Sequence, residues 1–221
     1  MVVLATKLYV RGDAKQRSLD SLRSLVNNEI GELDVEFELG IRHDDFPSVT
    51  ITGEDAVVAR NVLREAWGEI PTNLEAGETY VGTLDSWDGE GFVLDAGQPV
   101  RIPTAELGLG PGTPSQIRDR FGLVQHLPMK FVYGEPSRLA DAERDRLYDW
   151  SRGNGRLNVN SATRAEVRAT LNRAGHAQDI ITIERLGLLE QSVICAEGTD
   201  PPGLLASVGE YLPAELRCVV P

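Results

Sequence analysis

Seven arginines lie between Arg144 and Arg173 (Arg144, Arg146, Arg152, Arg156, Arg164, Arg168 and Arg173), against the three carboxylates Asp145, Asp149 and Glu166. This is a local cationic surplus in a chain of formal net charge -12. Guanidinium forks bind phosphate oxygens two at a time, and amide side chains read base edges. Arg156, Asn158, Asn160, Arg164, Arg168 and Arg173 are therefore candidate contacts to a nucleic acid. Arg164 and Arg168 are four apart and share a helix face, which is expected to lie opposite Val167 and Leu171. The bland alternative is a solvated face whose charges pair with acidic neighbours. Upstream, Tyr80, Trp87, Phe131 and Tyr133 are candidate stacking rings, with Lys130 as the cation among them, while Phe92 shares its face with Leu94 and Ala96 and reads as core.

Other chemistries find less support. His43, His126 and His176 fall one to a segment, and no two stand at metal-ligand spacing. His43-Asp44-Asp45 reads as a capped turn. Cys195 and Cys218 are separated by 23 residues with no Cys-x-x-Cys, and both alternate with apolar neighbours, which reads as core. His176 could in principle activate a thiol, but no spacing supports it. The loop Gly108–Gly112 precedes a helix and could cradle a phosphate on backbone N–H groups, yet it lacks the lysine such loops use and reads as a connection. No nucleophile elbow, phosphate-binding loop or dinucleotide fingerprint occurs, so no cofactor, metal or catalytic residue is assigned.

The composition qualifies the charge argument. The 221 residues are 41% hydrophobic, enough to build real cores. Nineteen arginines stand against three lysines, Lys7, Lys15 and Lys130. An acidic, lysine-poor chain suits concentrated salt, where the Debye length shrinks to about 3 Å near 1 M and net charge costs little. Acidity then argues only weakly against a nucleic-acid partner. No apolar stretch approaches the ~20 residues of a membrane span, and the opening residues lack the marks of a signal peptide. A soluble, cytoplasmic protein with no membrane partner is expected.

The elements that must position these side chains fall into an α+β pattern of three segments. In residues 1–72, Val2–Val10 reads as a strand and Asp13–Ile30 as a helix with Leu19, Leu22, Val26 and Ile30 inward, opened by an Asp13/Gln16 capping box and stopped at Gly31. Asp34–Ile41 and Ser48–Thr52 read as strands, and Glu54–Trp67 as a helix with Val58, Val62 and Ala66 inward. The order β-α-β-β-α lacks one strand of a ferredoxin-like unit. Residues 73–136 turn to glycines and short β runs: Thr79–Trp87, Gly91–Ala96, Val100–Pro103 and Met129–Tyr133, with a helix at Ser115–Phe121 capped by Thr113 and Gln116. This is the order of an OB-fold barrel, with an SH3-like barrel as rival. The run Tyr80-Val-Gly-Thr-Leu-Asp-Ser-Trp-Asp-Gly-Glu-Gly-Phe-Val-Leu-Asp resembles the opening hairpin of the ribosomal S-one class of OB-fold. Residues 137–153 read as a linking helix with Leu139, Leu147 and Trp150 as docking residues.

Residues 154–221 give the full order β-α-β-β-α-β, the second ferredoxin-like module: Leu157–Val159, a helix capped by Thr163 and Glu166, a hairpin turning at Gly187, a helix capped by Asp200 and Pro201, and Arg217–Val220. In such a sheet the third and fourth strands flank the first, which puts Cys195 and Cys218 about 10 Å apart, too far for a disulfide. A competing local reading is a helix-hairpin-helix module from Leu157, for which Leu171–Gly175 is a poor turn.

Five runs together, Arg42-His-Asp-Asp-Phe-Pro-Ser-Val, Thr52-Gly-Glu-Asp, Arg156-Leu-Asn-Val-Asn, Gly175-His-Ala-Gln-Asp-Ile-Ile-Thr-Ile-Glu-Arg-Leu-Gly and Cys195-Ala-Glu-Gly-Thr-Asp-Pro-Pro-Gly, resemble the domain-of-unknown-function 2110 family over essentially the whole chain. The resemblance implies an archaeal, haloarchaeal-type cytoplasmic source and carries over no catalytic residue. The expected function is a non-enzymatic RNA-binding accessory protein of translation or transcription, acting through the barrel and the arginine face. The alternative is a protein–protein adaptor on a ribosomal or transcription assembly, and an enzyme comes third.

Overall fold

The computed structural model describes residues 1–221. The N-terminal unit runs β1 (Val2–Val3), α1 (Gly12–Ile30), β2 (Glu36–Ile41), β3 (Pro47–Thr52) and α2 (Ala56–Trp67). Its sheet has the order β1-β3-β2, all antiparallel, with Val49 facing Val2 on one side and Leu39 on the other. Leu22, Val26 and Ile30 of α1 and Leu63 and Trp67 of α2 meet Val49 and Ile51 in the core.

Three local expectations are corrected here. The first strand stops after Val3, because the next residues turn to other partners: Leu4 bridges Glu69, Ala5 N–H donates to Gly68 O (3.3 Å) and Leu8 N–H to Asp45 O (2.8 Å). Helix α1 is capped at Arg11 with no side-chain bond, and Gln16 bonds Asp20 instead of closing a capping box. Helix α2 buries Ala59, Leu63 and Trp67, while Val58 is 50% exposed and Ala66 also faces out. The rotation follows from area: an i, i+4, i+8 stripe of alanine, leucine and tryptophan buries more apolar surface than two valines and an alanine.

The central unit runs β4 (Thr79–Trp87), β5 (Gly91–Asp95), β6 (Pro99–Pro103), α3 (Thr104–Leu107), α4 (Pro114–Arg120), β7 (Pro128–Val132) and β8 (Arg138–Leu139). These strands form one curled antiparallel sheet of order β6-β5-β4-β7-β8 around Leu84, Phe92, Leu94, Ile102 and Phe131. A register shift between Leu84 and Ser86 bends β4, as a bulge does. Gly82 permits the tight curl, since a Cβ there would stand 3.1 Å from Leu94 and 3.2 Å from Phe131. Thr113 and Gln116 form the expected capping box of α4. The helix that follows, α5 (Asp141–Arg152), packs Leu147 and Trp150 into the same core, beside Leu139 of β8.

The C-terminal unit runs β9 (Arg156–Val159), α6 (Arg164–Arg173), β10 (Ile180–Arg185), β11 (Gln191–Cys195), α7 (Pro201–Gly209) and β12 (Leu216–Val219). Its four antiparallel strands take the order β10-β11-β9-β12, and Leu157 faces both Val193 and Cys218. Thr163 and Glu166 close both bonds of their capping box, and Asp200 accepts from Gly203 N–H (3.0 Å). Strand β10 occupies the place where a helix-hairpin-helix needs its second helix, which removes that reading. Cys195 and Cys218 are free thiols. No helix is long and apolar enough to cross a membrane.

The units interlock. Leu188 and Leu189, at the turn between β10 and β11, are fully buried in the N-terminal core. Leu188 N–H donates to Thr6 Oγ1 (2.8 Å), and Tyr9 Oη–H donates to Glu190 Oε1 (2.8 Å). The ring of Tyr9 lies 4.0 Å from that of His126 in the central unit, and Lys7 Nζ bonds Asp95 (2.6 Å). The residues that left the first strand thus form a strap across all three units.

Candidate nucleic-acid interface

The predicted contacts divide into three groups. Asn158 and Asn160 are buried and hold the C-terminal unit to the central one: Asn158 Nδ2–H donates to Gly122 O (2.8 Å) and Asn160 Nδ2–H to Gln125 O (3.1 Å). They are corrected from ligand contacts to seam contacts. An amide in a strand satisfies a backbone carbonyl as readily as a base edge, and sequence spacing does not tell the two apart. Arg156 is also committed, bonded to Glu184 (2.7 Å) and packed over Trp150. Trp87 has one face covered by the Arg118 guanidinium at 3.5 Å, itself paired with Glu215, so that face cannot stack on a base.

Arg164, Arg168 and Arg173 are exposed and have no carboxylate partner, in a molecule where most arginines do. They do not form one ledge. At about 100° per residue, Arg164 stands beside Leu171 rather than opposite it, Arg168 is one step further round, and Arg173 is about 140° beyond Arg168. Arg173 shares its flank with Glu166, which binds Arg17 of α1 (2.9 Å).

The third group is brought together by the fold. Tyr80 and Lys130 line a cleft of about 590 Å³ between the N-terminal and central units. Register places Lys130 opposite Val81 and Tyr80 opposite Phe131 on the paired strands β4 and β7. The far wall is the end of α2, with Arg64 and Trp67; α5 adds Glu143 and Arg146, and the β10–β11 turn adds Leu186. Arg64 is held by Glu69 (2.6 Å) and Arg146 by the buried Glu143, whereas exposed Lys130 has no carboxylate partner. Glu143 also accepts from the Lys130 backbone N–H (3.0 Å) and so fixes the strand that carries the ammonium. Tyr133 is half-buried against the central core, with its ring not in this lining.

Sequence reasoning missed Arg64, Trp67 and Leu186, and counted Arg146 only as part of the cationic run. The spacing Ala59–Leu63–Trp67 was the available signal for the indole. Leu186 had none, because it reaches the cleft only through the packing of a distant hairpin.

Behind the cleft, Arg185 lies over the Trp67 ring at 3.9 Å and reaches Glu29 (3.3 Å). Burial lowers the pKa of Arg185, and the charge of Arg164 lowers it further. Glu190, fully buried, is pushed up to about 8 by desolvation against the Tyr9 hydrogen bond. Burial also lowers the pKa of His126, with Lys7 adding to the effect. His176 sits between Asp179 (Nδ1 to Oδ2, 2.6 Å) and Ser207 (Nε2 to Oγ, 2.6 Å), an arrangement that does not involve either cysteine. Ser207 is inside α7, so its backbone N–H belongs to the helix ladder, and the chain of bonds ties the α6–β10 loop to α7. The glycine loop before α4 is closed by Arg120, which donates to Leu109 O (3.0 Å) and Pro111 O (2.6 Å).

Comparison with known families matches three domain models of one family: the DUF2110 N-terminal domain at residues 1–73, the DUF2110 central domain at 74–151 and the DUF2110 C-terminal domain at 154–220. No curated protein matches the chain.

Proposed function

The chain belongs to the DUF2110 family, and from that premise we propose that it is an RNA-binding accessory protein of translation or transcription, gripping a single strand in the cleft between the N-terminal and central units. The observation that carries this reading is Lys130, an exposed ammonium without a counter-ion, in a cleft that Tyr80 also lines, its ring packed against Phe131. A cation for the backbone and a ring for a base are the two elements of sequence-tolerant single-strand binding. Arg164 and Arg168 extend the cationic surface behind Arg185; Asn158, Asn160 and Arg156 have no part in it. The strand orders support a finer reading of the fold. β10-β11-β9-β12 is the ferredoxin-like order, β1-β3-β2 is that order without its last strand, and β6-β5-β4-β7-β8 with a helix before β7 is the OB order. The acidic, lysine-poor composition supports a salt-adapted archaeal, cytoplasmic setting, in which hydrogen bonds and stacking outweigh counterion release.

The test is fluorescence anisotropy with single-stranded and hairpin RNA across a salt series. Binding to single strands that weakens about tenfold in Lys130→Ala, and further with Tyr80→Ala, supports the reading. RNA affinity that is absent at every salt, or unchanged in the double variant, rejects it. The adaptor reading draws on Val57 and Val58, exposed side by side on α2. It is favoured if Val58→Asp abolishes co-purification of a protein from native cells while RNA binding stays nil.

A further inference from the structure

The cleft has an inner end. A recess of about 60 Å³ opens from it, sharing Trp67, Pro128 and Leu186 with the outer lining and bounded further in by Thr6, Arg185 and Gly187. Its polar groups include donors without acceptors, and the unpartnered Oε2 of Glu190 stands against Gly187 at its edge. Trp67, only 7% exposed, has a buried indole N–H with no partner, and Arg185 Nη1 is buried without one as well. Thr6 Oγ1 accepts from Leu188 N–H, which leaves its own hydroxyl hydrogen to give. Buried donors without acceptors are costly, and native proteins keep few of them. Two of these side chains, stacked on one another at the closed end of a cleft, mark a place built for an acceptor.

The acceptor's chemistry follows from charge and direction. Arg185 brings a positive charge into the lining, while Glu29, bonded to it at 3.3 Å, lies outside that lining, so an anion is favoured over a neutral carbonyl. The three donors come from three elements: the end of α2, the end of β10 and the N-terminal strap. A planar carboxylate has two oxygens in one plane, whereas a tetrahedral oxyanion can offer one to each direction. The recess is about twice the roughly 30 Å³ share of one water.

We propose that this recess is a receptor for one phosphate group, either free phosphate or the terminal phosphate of an RNA strand lying in the cleft. The second source rests on the RNA reading above; the first does not.

The test follows the indole N–H resonances of the three tryptophans in ¹⁵N-labelled full-length protein, with Trp67 assigned by its loss in Trp67→Phe. Titration with inorganic phosphate, against chloride at matched ionic strength, is expected to move the Trp67 resonance saturably and leave the other two in place. A 5′-phosphorylated single-stranded oligoribonucleotide is expected to bind at least fivefold tighter than its 5′-hydroxyl counterpart, with the difference abolished in Trp67→Phe. A response to free phosphate with the two oligonucleotides binding alike assigns the recess to the free ion. A Trp67 resonance that stays still with both phosphate and the phosphorylated strand, or that moves equally with chloride, overturns the receptor whatever the RNA affinity. A phosphate response with no RNA binding at all overturns the RNA reading and leaves the receptor standing.

Discussion

The N-terminal and C-terminal units share the order β-α-β-β-α, yet they are finished in different ways. The C-terminal sheet has four strands, its helices are capped by their own side chains, and its core is drawn from its own residues. The N-terminal sheet has three strands, one of them two residues long; α1 has no side-chain cap, and the core takes Leu188 and Leu189 from the other unit. One pattern of elements thus yields a self-contained unit in one place and a dependent one in the other. The difference lies in where the last apolar side chains come from.

The strongest way to break this comparison is at the borrowed leucines. Leu188→Ala and Leu189→Ala should each cost about 2–5 kcal/mol, and the loss should fall on the receiving unit. Hydrogen exchange in the double variant should show α1 and α2 losing protection before β9 and β12; uniform loss would mean that the two units share one cooperative core. Next in size is the carboxyl beside them. Because the folded pKa of Glu190 is raised to about 8 from 4.5, the folded state holds a proton that the unfolded state releases. Its contribution is therefore greatest below about pH 4.5 and is lost as pH rises to about 8, at up to about 1.4 kcal/mol per pH unit. Urea midpoints measured from pH 5 to 9 should fall for the native chain, with Glu190→Gln flattening that part of the slope. Smaller effects sharpen the contrast between helix starts. Thr163→Ala should cost about 1 kcal/mol, because it removes a true cap from α6. Gln16→Ala in α1, where no capping box forms, should stay within about 0.5 kcal/mol; thermal melts of the pair would show it.

The same contrast explains what could be read from the amino-acid order. Thr113 with Gln116, Thr163 with Glu166, and Asp200 with Gly203 behind Pro201 announce helix starts through bonds that span three residues, and all three starts are where they were expected. Tyr80 and Lys130 were legible as a ring and a cation on β runs. The partners that turn them into a cleft were not, because Trp67 arrives from another unit and Leu186 from a hairpin far away in the chain, and packing between units has no period. Asn158 and Asn160 illustrate the converse. Their alternation in a strand was visible, but whether an amide meets a ligand or a neighbouring carbonyl is decided across a seam. The phase of α2 was lost for a related reason: Val58 and Val62 fit an apolar stripe by themselves, and the competing stripe wins only once the indole has somewhere to go.

The borrowed leucines also bear on how the chain is made. A ribosome adding about 5–20 residues per second releases Trp67 well before the hairpin that covers it, and about 120 residues of synthesis separate the two. For several seconds the nascent N-terminal half therefore has a patch of uncovered apolar surface. The first segment to emerge is thus the one that must wait to be completed.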